Sequence, residues 1–107
     1  MNYDVKYHDE VEKDLKAFNS AQKKQIKKSI EKFAENPLPK SEGGHGNPLG
    51  HKQGRNLTGL CKITLKKMGV RIVYKLVRTE TIMQVIVIAA RADEEVYDIA
   101  AKRNKYT

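Results

Sequence analysis

Three consecutive β-type segments in the second half of this 107-residue chain constrain its fold more than any other feature. Apolar and polar residues alternate in 61–66 and again in 71–76, a period typical of strands with one buried face. Residues 82–90 are almost continuously apolar and β-branched, which predicts an interior strand covered on both faces. Met68-Gly69 predicts a tight two-residue turn between the first two strands, and Arg78–Thr81 predicts a second turn before the third.

The N-terminal part of the chain predicts one strand followed by two helices. Residues 3–7 alternate between apolar and polar. We expect Asp9 to cap the first helix and Asn19-Ser20 to cap the second, which should end before Asn36-Pro37. The apolar faces comprise Val11, Leu15 and Phe18 in the first helix and Ile26, Ile30 and Phe33 in the second.

The order of these elements predicts an α+β fold. Residues 36–56 hold all three prolines and five of the seven glycines, so we expect a long loop there. Asp93 opens a final helix that carries Val96, Ile99 and Ala100. The predicted order is β-α-α-β-β-β-α: a small, mostly antiparallel sheet of about four strands with an N-terminal helix hairpin, a C-terminal helix, and the helices on one side. The length predicts a single domain over residues 1–107.

Composition indicates a protein of the cytoplasm that acts without a membrane, a metal or a cofactor. The longest apolar run, Val85–Ala90, is too short to cross a bilayer, and no apolar segment follows the first Met. The single cysteine, Cys61, has no partner for an internal disulfide and is expected in the core. His45 and His51 lie in the loop without the further ligands that a metal site needs, so we expect surface histidines.

Positive charge is concentrated in the middle of the chain. Residues 40–91 contain ten Lys or Arg and two acids, whereas the rest of the chain carries equal numbers of each sign. Such an asymmetry is typical of a protein with a polyanionic partner, either nucleic acid or an acidic protein segment, and equally of a merely solubilising surface.

The predicted hairpin indicates where that charge lies. A two-residue turn at Met68-Gly69 would place Lys66 opposite Arg71, Lys62 opposite Lys75, and Thr64 opposite Val73, all on one open face. Like charges directly across a sheet are unfavourable, so we interpret this face as a binding surface for a polyanion rather than a solvated strand face.

An ordered series of short motifs resembles the RelE/ParE superfamily of type II toxins. The series consists of residues 56–63 (NLTGLCKI), 69–74 (GVRIVY), 87–91 (VIAAR) and 95–97 (EVY). Each motif alone is weak, but their order is similar to that of the family over nearly the whole chain. The RelE branch is the closer match.

The resemblance implies a ribosome-dependent endoribonuclease that cuts mRNA in the ribosomal A site by metal-free attack of a 2′-hydroxyl. It implies a general base or electrostatic stabiliser at Lys62 and an arginine that stabilises the phosphorane at Arg71. Arg91 would lie near the leaving 5′ oxygen, and Tyr97 would stack on the nucleotide. The sequence departs from the best-known RelE pattern where Thr64 and Ala90 stand in place of lysines.

The implied partners are the ribosome, its mRNA and an acidic RelB-like antitoxin. Candidate RNA-binding residues beside the catalytic set are Lys52, Arg55, Thr64, Lys66 and Lys75. One alternative is a ParE-like inhibitor of DNA gyrase that acts by binding without catalysis. Another is a plain RNA-binding module, which the lack of an aromatic sheet surface disfavours.

Overall fold

In the residues that it describes, 2–52 and 54–105, the computed structural model has five strands and three α-helices. The elements are β1 (Asp4–Tyr7), α1 (Val11–Leu15), α2 (Ser20–Ala34), β2 (Asn47–Lys52), β3 (Arg55–Leu65), β4 (Val70–Val77), β5 (Ile82–Ala89) and α3 (Asp93–Asn104). The sheet order is β1-β5-β4-β3-β2, with β1 parallel to β5 and every other pair antiparallel. The predicted α+β class with a mostly antiparallel sheet is confirmed. No helix in the described residues is long and apolar enough to span a membrane.

The second half of the predicted 36–56 loop contains a strand, β2. The predicted loop is therefore too long, and the sheet has five strands instead of about four. β2 pairs with β3, from Asn47 opposite Lys62 to Lys52 opposite Arg55, and forms one edge of the sheet. Its register shifts between Pro48 and Gly50. Proline and glycine break the alternation that identifies a strand in sequence, and an irregular edge strand tolerates both.

The first half of that loop is fastened to the sheet by side chains. Tyr74 on β4 donates a hydrogen bond from its hydroxyl to the carbonyl oxygen of Pro37, over 2.7 Å. Gly46 lies against the same hydroxyl, and a Cβ atom there would approach it to 2.4 Å, so this close approach requires glycine. Arg78 donates two hydrogen bonds to the carboxylate of Glu42, over 2.6 and 2.7 Å. The loop is therefore an ordered part of the fold.

The two N-terminal helices begin in different ways. Asn19 caps α2 as predicted: its side chain accepts from the Gln22 backbone N–H, and the Gln22 side chain accepts from that of Asn19. The predicted Asp9 cap of α1 is wrong. The residue before α1 is Glu10, which has no side-chain cap, and its backbone N–H donates to His8 Nδ1 over 3.1 Å. α1 is a short helix whose orientation is set by this turn.

The β3–β4 hairpin has a four-residue turn instead of the predicted two-residue turn. Leu65 and Val70 are the last pair, and Gly69 closes the turn with a φ of 66°. Thr64 therefore lies opposite Arg71, so the predicted Lys66/Arg71 pair does not form.

The same shift separates Lys62 from Lys75, the other predicted cation pair. It also separates Thr64 from Val73. Lys62 lies opposite Val73, and Lys75 lies opposite Leu60. The shift moves each pairing by two residues, which keeps every side chain on its predicted face of the sheet.

Helices cover both faces of the sheet, which corrects the expectation that all helices lie on one side. α1 and α2 pack on one face, which the side chains of Ile63, Ile72 and Tyr74 share with Val11 and Ile30; α3 packs on the other. The second face forms its own buried cluster of Leu49, Leu57, Leu60, Val73, Ile86, Val87, Ala89, Val96, Tyr97 and Ala100. The face expected to be open and cationic is thus partly a second core.

A β-bulge in β5 marks the point where the N-terminal helices and α3 meet. Opposite Val73 and Tyr74 of β4 stand Val87 and Val85, so Ile86 is the extra residue. β1 pairs with β5 only as far as Val85. Beyond that point the sheet edge needs other hydrogen-bond partners.

An ion pair between α1 and α3 supplies those partners. The Asp14 carboxylate accepts from the Ile88 backbone N–H over 3.0 Å, and the Arg103 guanidinium donates to the Ile86 carbonyl over 2.9 Å. Arg103 also donates two hydrogen bonds to Asp14, over 2.7 and 2.9 Å. Both side chains are mostly buried, with 13% of Asp14 and 17% of Arg103 exposed. The pair joins α1, β5 and α3.

Replacement of Arg103 by methionine should destabilise the protein by about 2–4 kcal/mol, because it leaves the mostly buried Asp14 carboxylate without its cation and removes a donor to the Ile86 carbonyl. Chemical denaturation followed by circular dichroism measures the free energy of unfolding.

The matched control is Lys13→Met, which removes the exposed ion pair between Lys13 and Glu10. It should change the free energy of unfolding by less than about 0.5 kcal/mol. Equal losses from Lys13→Met and Arg103→Met would contradict a structural role for the Asp14–Arg103 pair.

Candidate active site

Three side chains expected to act in catalysis, and the backbone of a fourth such residue, meet where α3 begins above the sheet. Lys62 projects from β3, and its Nζ donates to the Tyr97 hydroxyl on α3 over 3.0 Å. Arg71 projects from the neighbouring strand β4, and its Nη1 donates to the carbonyl oxygen of Arg91 over 2.7 Å. Arg91 lies in the short connection between β5 and α3. The pairing of β3 with β4 and the packing of α3 on the sheet thus bring together residues that are up to 35 positions apart in sequence.

Asp93, which the sequence interpretation did not select, lies between two of these cations. Its carboxylate forms a salt bridge with the Arg71 Nε and lies 3.7 Å from the Lys62 Nζ. Nearly half of the Asp93 side chain, 45%, is exposed. As the first residue of α3 it was interpreted only as an acid at a helix N-terminus. The sequence around Asp93 does not predict these two contacts, because they depend on where α3 packs.

The other cations near α3 are also paired with acids of that helix. Arg91 lies 3.6 Å from the Glu95 carboxylate, and both side chains are well exposed. Arg55 forms a hydrogen-bonded ion pair with Asp98, and this guanidinium lowers the pKa of the Asp98 carboxyl below its usual value. The predicted cationic face is therefore partly neutralised, because Asp93 and Asp98 of α3 pair with its cations.

Tyr97 is a buried residue whose hydroxyl reaches the site. Only 6% of the residue is exposed, and its ring packs in the cluster beneath α3. The Lys62 Nζ lies 5.7 Å from the ring centroid, within the range of a cation–π contact. Stacking of Tyr97 on a nucleotide stays a prediction, and it would require a face of the ring to become exposed.

A cleft of about 480 Å³ adjoins the Lys62–Tyr97 contact. Its lysines come from three parts of the chain: Lys40 from the ordered loop, Lys62 from β3, and Lys66 from the turn that follows. Thr64 lies between them on the same wall. Lys40 was not selected from sequence, and only the loop's attachment to the sheet brings it here. A groove lined by lysines is suited to a phosphate backbone.

The remaining predicted RNA-binding residues lie elsewhere. Lys75 is half-buried on β4, opposite Leu60 and Gln84. Arg55 is held by Asp98. Lys52 ends β2, and its side chain lies outside what the structure describes. Of the five candidates, Thr64 and Lys66 are the two that line the cleft.

The histidines and the cysteine lie apart from these contacts. His45 packs its ring 5.8 Å from that of Phe33, and His51 is exposed on β2. Cys61 is buried, and burial raises the pKa of its thiol, as suits a core residue rather than a nucleophile. Among residues 2–52 and 54–105, no three His, Cys, Asp or Glu side chains are grouped as metal ligands would be.

The arrangement can perform acid–base and electrostatic chemistry on a phosphodiester. Lys62 and Arg71 provide fixed donors on adjacent strands, and Arg91 contributes its backbone carbonyl to Arg71 and holds its exposed guanidinium near Glu95. Donors fixed before the substrate arrives stabilise the extra negative charge of a pentavalent phosphorane. Asp93 adds a carboxylate, and therefore a proton acceptor, to the same spot.

Comparisons with known proteins identify relatives over most of the chain. The family model of the ParE toxin of the type II toxin–antitoxin system parDE matches residues 5–95. A RelE-like toxin protein of Escherichia coli is 26% identical over 104 residues, which are 96% of this chain and 98% of that protein.

Solved structures of the Escherichia coli toxin RelE have the same fold. A doubly substituted RelE in the free state superimposes with a TM-score of 0.75 at 26% identity, over 96% of this chain and 98% of that one. The same mutant in complex with an antitoxin RelBc peptide gives a TM-score of 0.68 at 25% identity, with the same coverage. The chain therefore belongs to the RelE/ParE superfamily of type II toxins.

Proposed function

We propose that this toxin is a ribosome-dependent endoribonuclease that cleaves mRNA in the ribosomal A site and so stops translation. The observation that carries the proposal is the convergence of the Lys62, Arg71 and Tyr97 side chains at one end of α3, beside the backbone of Arg91. In a toxin that acts by binding alone, no chemistry requires two cations from adjacent strands and a tyrosine hydroxyl to meet beside a lysine-lined cleft.

The proposed reaction is attack of the 2′ oxygen on the adjacent phosphorus, with departure of the 5′ oxygen. The Arg71 guanidinium would stabilise the phosphorane, and Arg91 would act as a charge clamp near the leaving oxygen. The site is partly exposed to solvent, so it does not by itself fix an RNA strand in line for attack. The ribosome would hold the substrate in line, and such positioning can lower a barrier by about 7–11 kcal/mol.

A gyrase inhibitor that acts by binding is the second candidate, and the match to the ParE family model favours it. Both activities occur on this scaffold, so fold similarity does not decide between them. Pulse labelling after induction in bacteria separates the two: loss of protein synthesis first supports cleavage of mRNA, and loss of DNA synthesis first supports gyrase inhibition.

An acidic antitoxin is the proposed partner, in the cytoplasm where translation takes place. The Escherichia coli RelE toxin has been solved with an antitoxin peptide, and the present chain carries a net charge of +8. We propose that a partly disordered, acidic segment wraps this toxin and folds on contact with the sheet edge and the N-terminal helices.

The mRNA should be cut only when it is on the ribosome, and the upstream fragment should end in a 2′,3′-cyclic phosphate or the 3′-phosphate derived from it. Primer extension on programmed ribosomes locates the cut, and end-group analysis identifies the product. Cleavage should persist in EDTA at concentrations that leave ribosomes assembled. Arg71→Ala should reduce the rate by about 10²-fold or more, because it removes a donor to the phosphorane.

An mRNA with 2′-O-methyl at the cleaved position is the matched control, because it removes the nucleophile and leaves the codon unchanged. It should remain intact. Rapid cleavage of this substrate, or fragments that end in a 3′-hydroxyl, would eliminate the 2′-hydroxyl mechanism.

Substitutions at Tyr97 should separate its packing from its hydroxyl. Tyr97→Ala should cost about 3–5 kcal/mol of stability, because it empties a buried site beneath α3. Tyr97→Phe should cost about 1 kcal/mol or less and remove only the contact with Lys62, so a drop in its cleavage rate reports on the hydroxyl.

Tyr7→Ala is the control for loss of a tyrosine ring, since Tyr7 is 44% exposed. Its free energy of unfolding should stay within about 1 kcal/mol of wild type. A folded Tyr97→Ala protein as stable as wild type would show that the ring does not support α3.

Binding of the antitoxin encoded by the neighbouring gene should weaken as salt rises, because screening shortens the reach of exposed charges. Isothermal titration calorimetry at several salt concentrations measures this. An uncharged osmolyte at the same osmolality should leave the affinity unchanged. The absence of any complex would weigh heavily against an antitoxin partner.

A further inference from the structure

The proposed reaction has no assigned proton acceptor, and Asp93 lies among the residues proposed to carry it out. Its carboxylate contacts Arg71 on β4 and faces Lys62 on β3, and it stands at the first residue of a twelve-residue helix. The other charged groups around it are Arg91 in the preceding connection and Glu94 and Glu95 in its own first turn.

The proposed cleavage needs an acceptor for the proton of the 2′-hydroxyl. Lys62 donates its hydrogen bond to the Tyr97 hydroxyl and lies near the Asp93 carboxylate, so it is placed as a donor in this structure. Thr64 lines the same wall but carries only a hydroxyl. Arginine is a poor base because it stays protonated in water. Among the groups that meet in this cluster, the Asp93 carboxylate is the one suited to accept a proton.

We propose that Asp93 is the general base of the cleavage reaction; this inference rests on the proposed function. A carboxylate oxygen of Asp93 takes the proton from the 2′-hydroxyl as the 2′ oxygen forms its bond to phosphorus. The bond between phosphorus and the 5′ oxygen breaks, and the 5′ oxygen takes a proton from solvent water. Asp93 then returns its proton to solvent, so the products are a 2′,3′-cyclic phosphate and a 5′-hydroxyl.

The surroundings of Asp93 suit this role. Salt bridges to Arg71 and Lys62 hold the carboxylate in one orientation. The Asp93 side chain is 45% exposed, so a ribose can reach the carboxylate oxygen that does not contact Arg71. The same two cations would contact the phosphate next to that ribose, which sets base and phosphate side by side as in-line attack requires.

Asp93→Asn tests the proposal, since it keeps the shape and removes the proton acceptor. Single-turnover cleavage of mRNA on programmed ribosomes should slow by about 10²–10⁴-fold. Glu94→Gln is the matched control: it makes the same change of charge in the same helical turn, and should cleave at nearly the wild-type rate.

Thermal unfolding and antitoxin binding establish that Asp93→Asn is folded. If it does not fold, Asp93→Glu decides: it retains a carboxylate that can accept the proton and should retain cleavage, and a folded Asp93→Glu protein that cleaves no ribosome-bound mRNA would overturn the proposal. A folded Asp93→Asn protein that cleaves as fast as wild type, or faster, would also overturn it, and faster cleavage would identify Asp93 as an anion that blocks the site. A wild-type protein that cleaves no ribosome-bound mRNA would instead refute the proposed function itself.

Discussion

The ion pair of Asp14 and Arg103 is the interaction on which the position of α3 depends. It provides hydrogen-bond partners for the part of β5 that β1 leaves uncovered, and it fixes the C-terminal end of α3 to α1. α3 in turn carries Asp93 at its start and Tyr97 one turn later. A contact far from the cluster at the start of α3 therefore sets the geometry of that cluster, through the length of one helix.

Much of the fold could be predicted because alternation and capping are local properties of the chain. The Asn19 cap, the end of α2 and the interior position of β5 all follow from short stretches of sequence. The β3–β4 pairing could not be predicted to within two residues, because a turn of two or four residues preserves the same faces. β2 was missed because Pro48 and Gly50 hide its pattern, and only pairing with β3 makes it a strand.

The candidate site could be predicted in part, for a related reason. Lys62, Arg71, Arg91 and Tyr97 were selected from the order of short motifs. The structure brings the side chains of Lys62, Arg71 and Tyr97 together beside the backbone of Arg91, while the catalytic roles stay predictions. Asp93 could not be selected, because an acid at the start of a helix already has a sufficient local explanation. Whether such an acid also meets cations depends on which face of the sheet the helix covers, and here α3 covers the face opposite to α1 and α2.

The bulge at Ile86 also restricts how this protein can evolve. The extra residue reverses the alternation of side chains between the two faces of β5, so that Ile86 and Val87 both face α3. The strand then leads into Arg91. Deleting a single residue from β5 would cancel this reversal and send the following side chains to the wrong face. Insertions and deletions should consequently be absent from β5 in natural variants, even though many substitutions among its apolar residues would be tolerated.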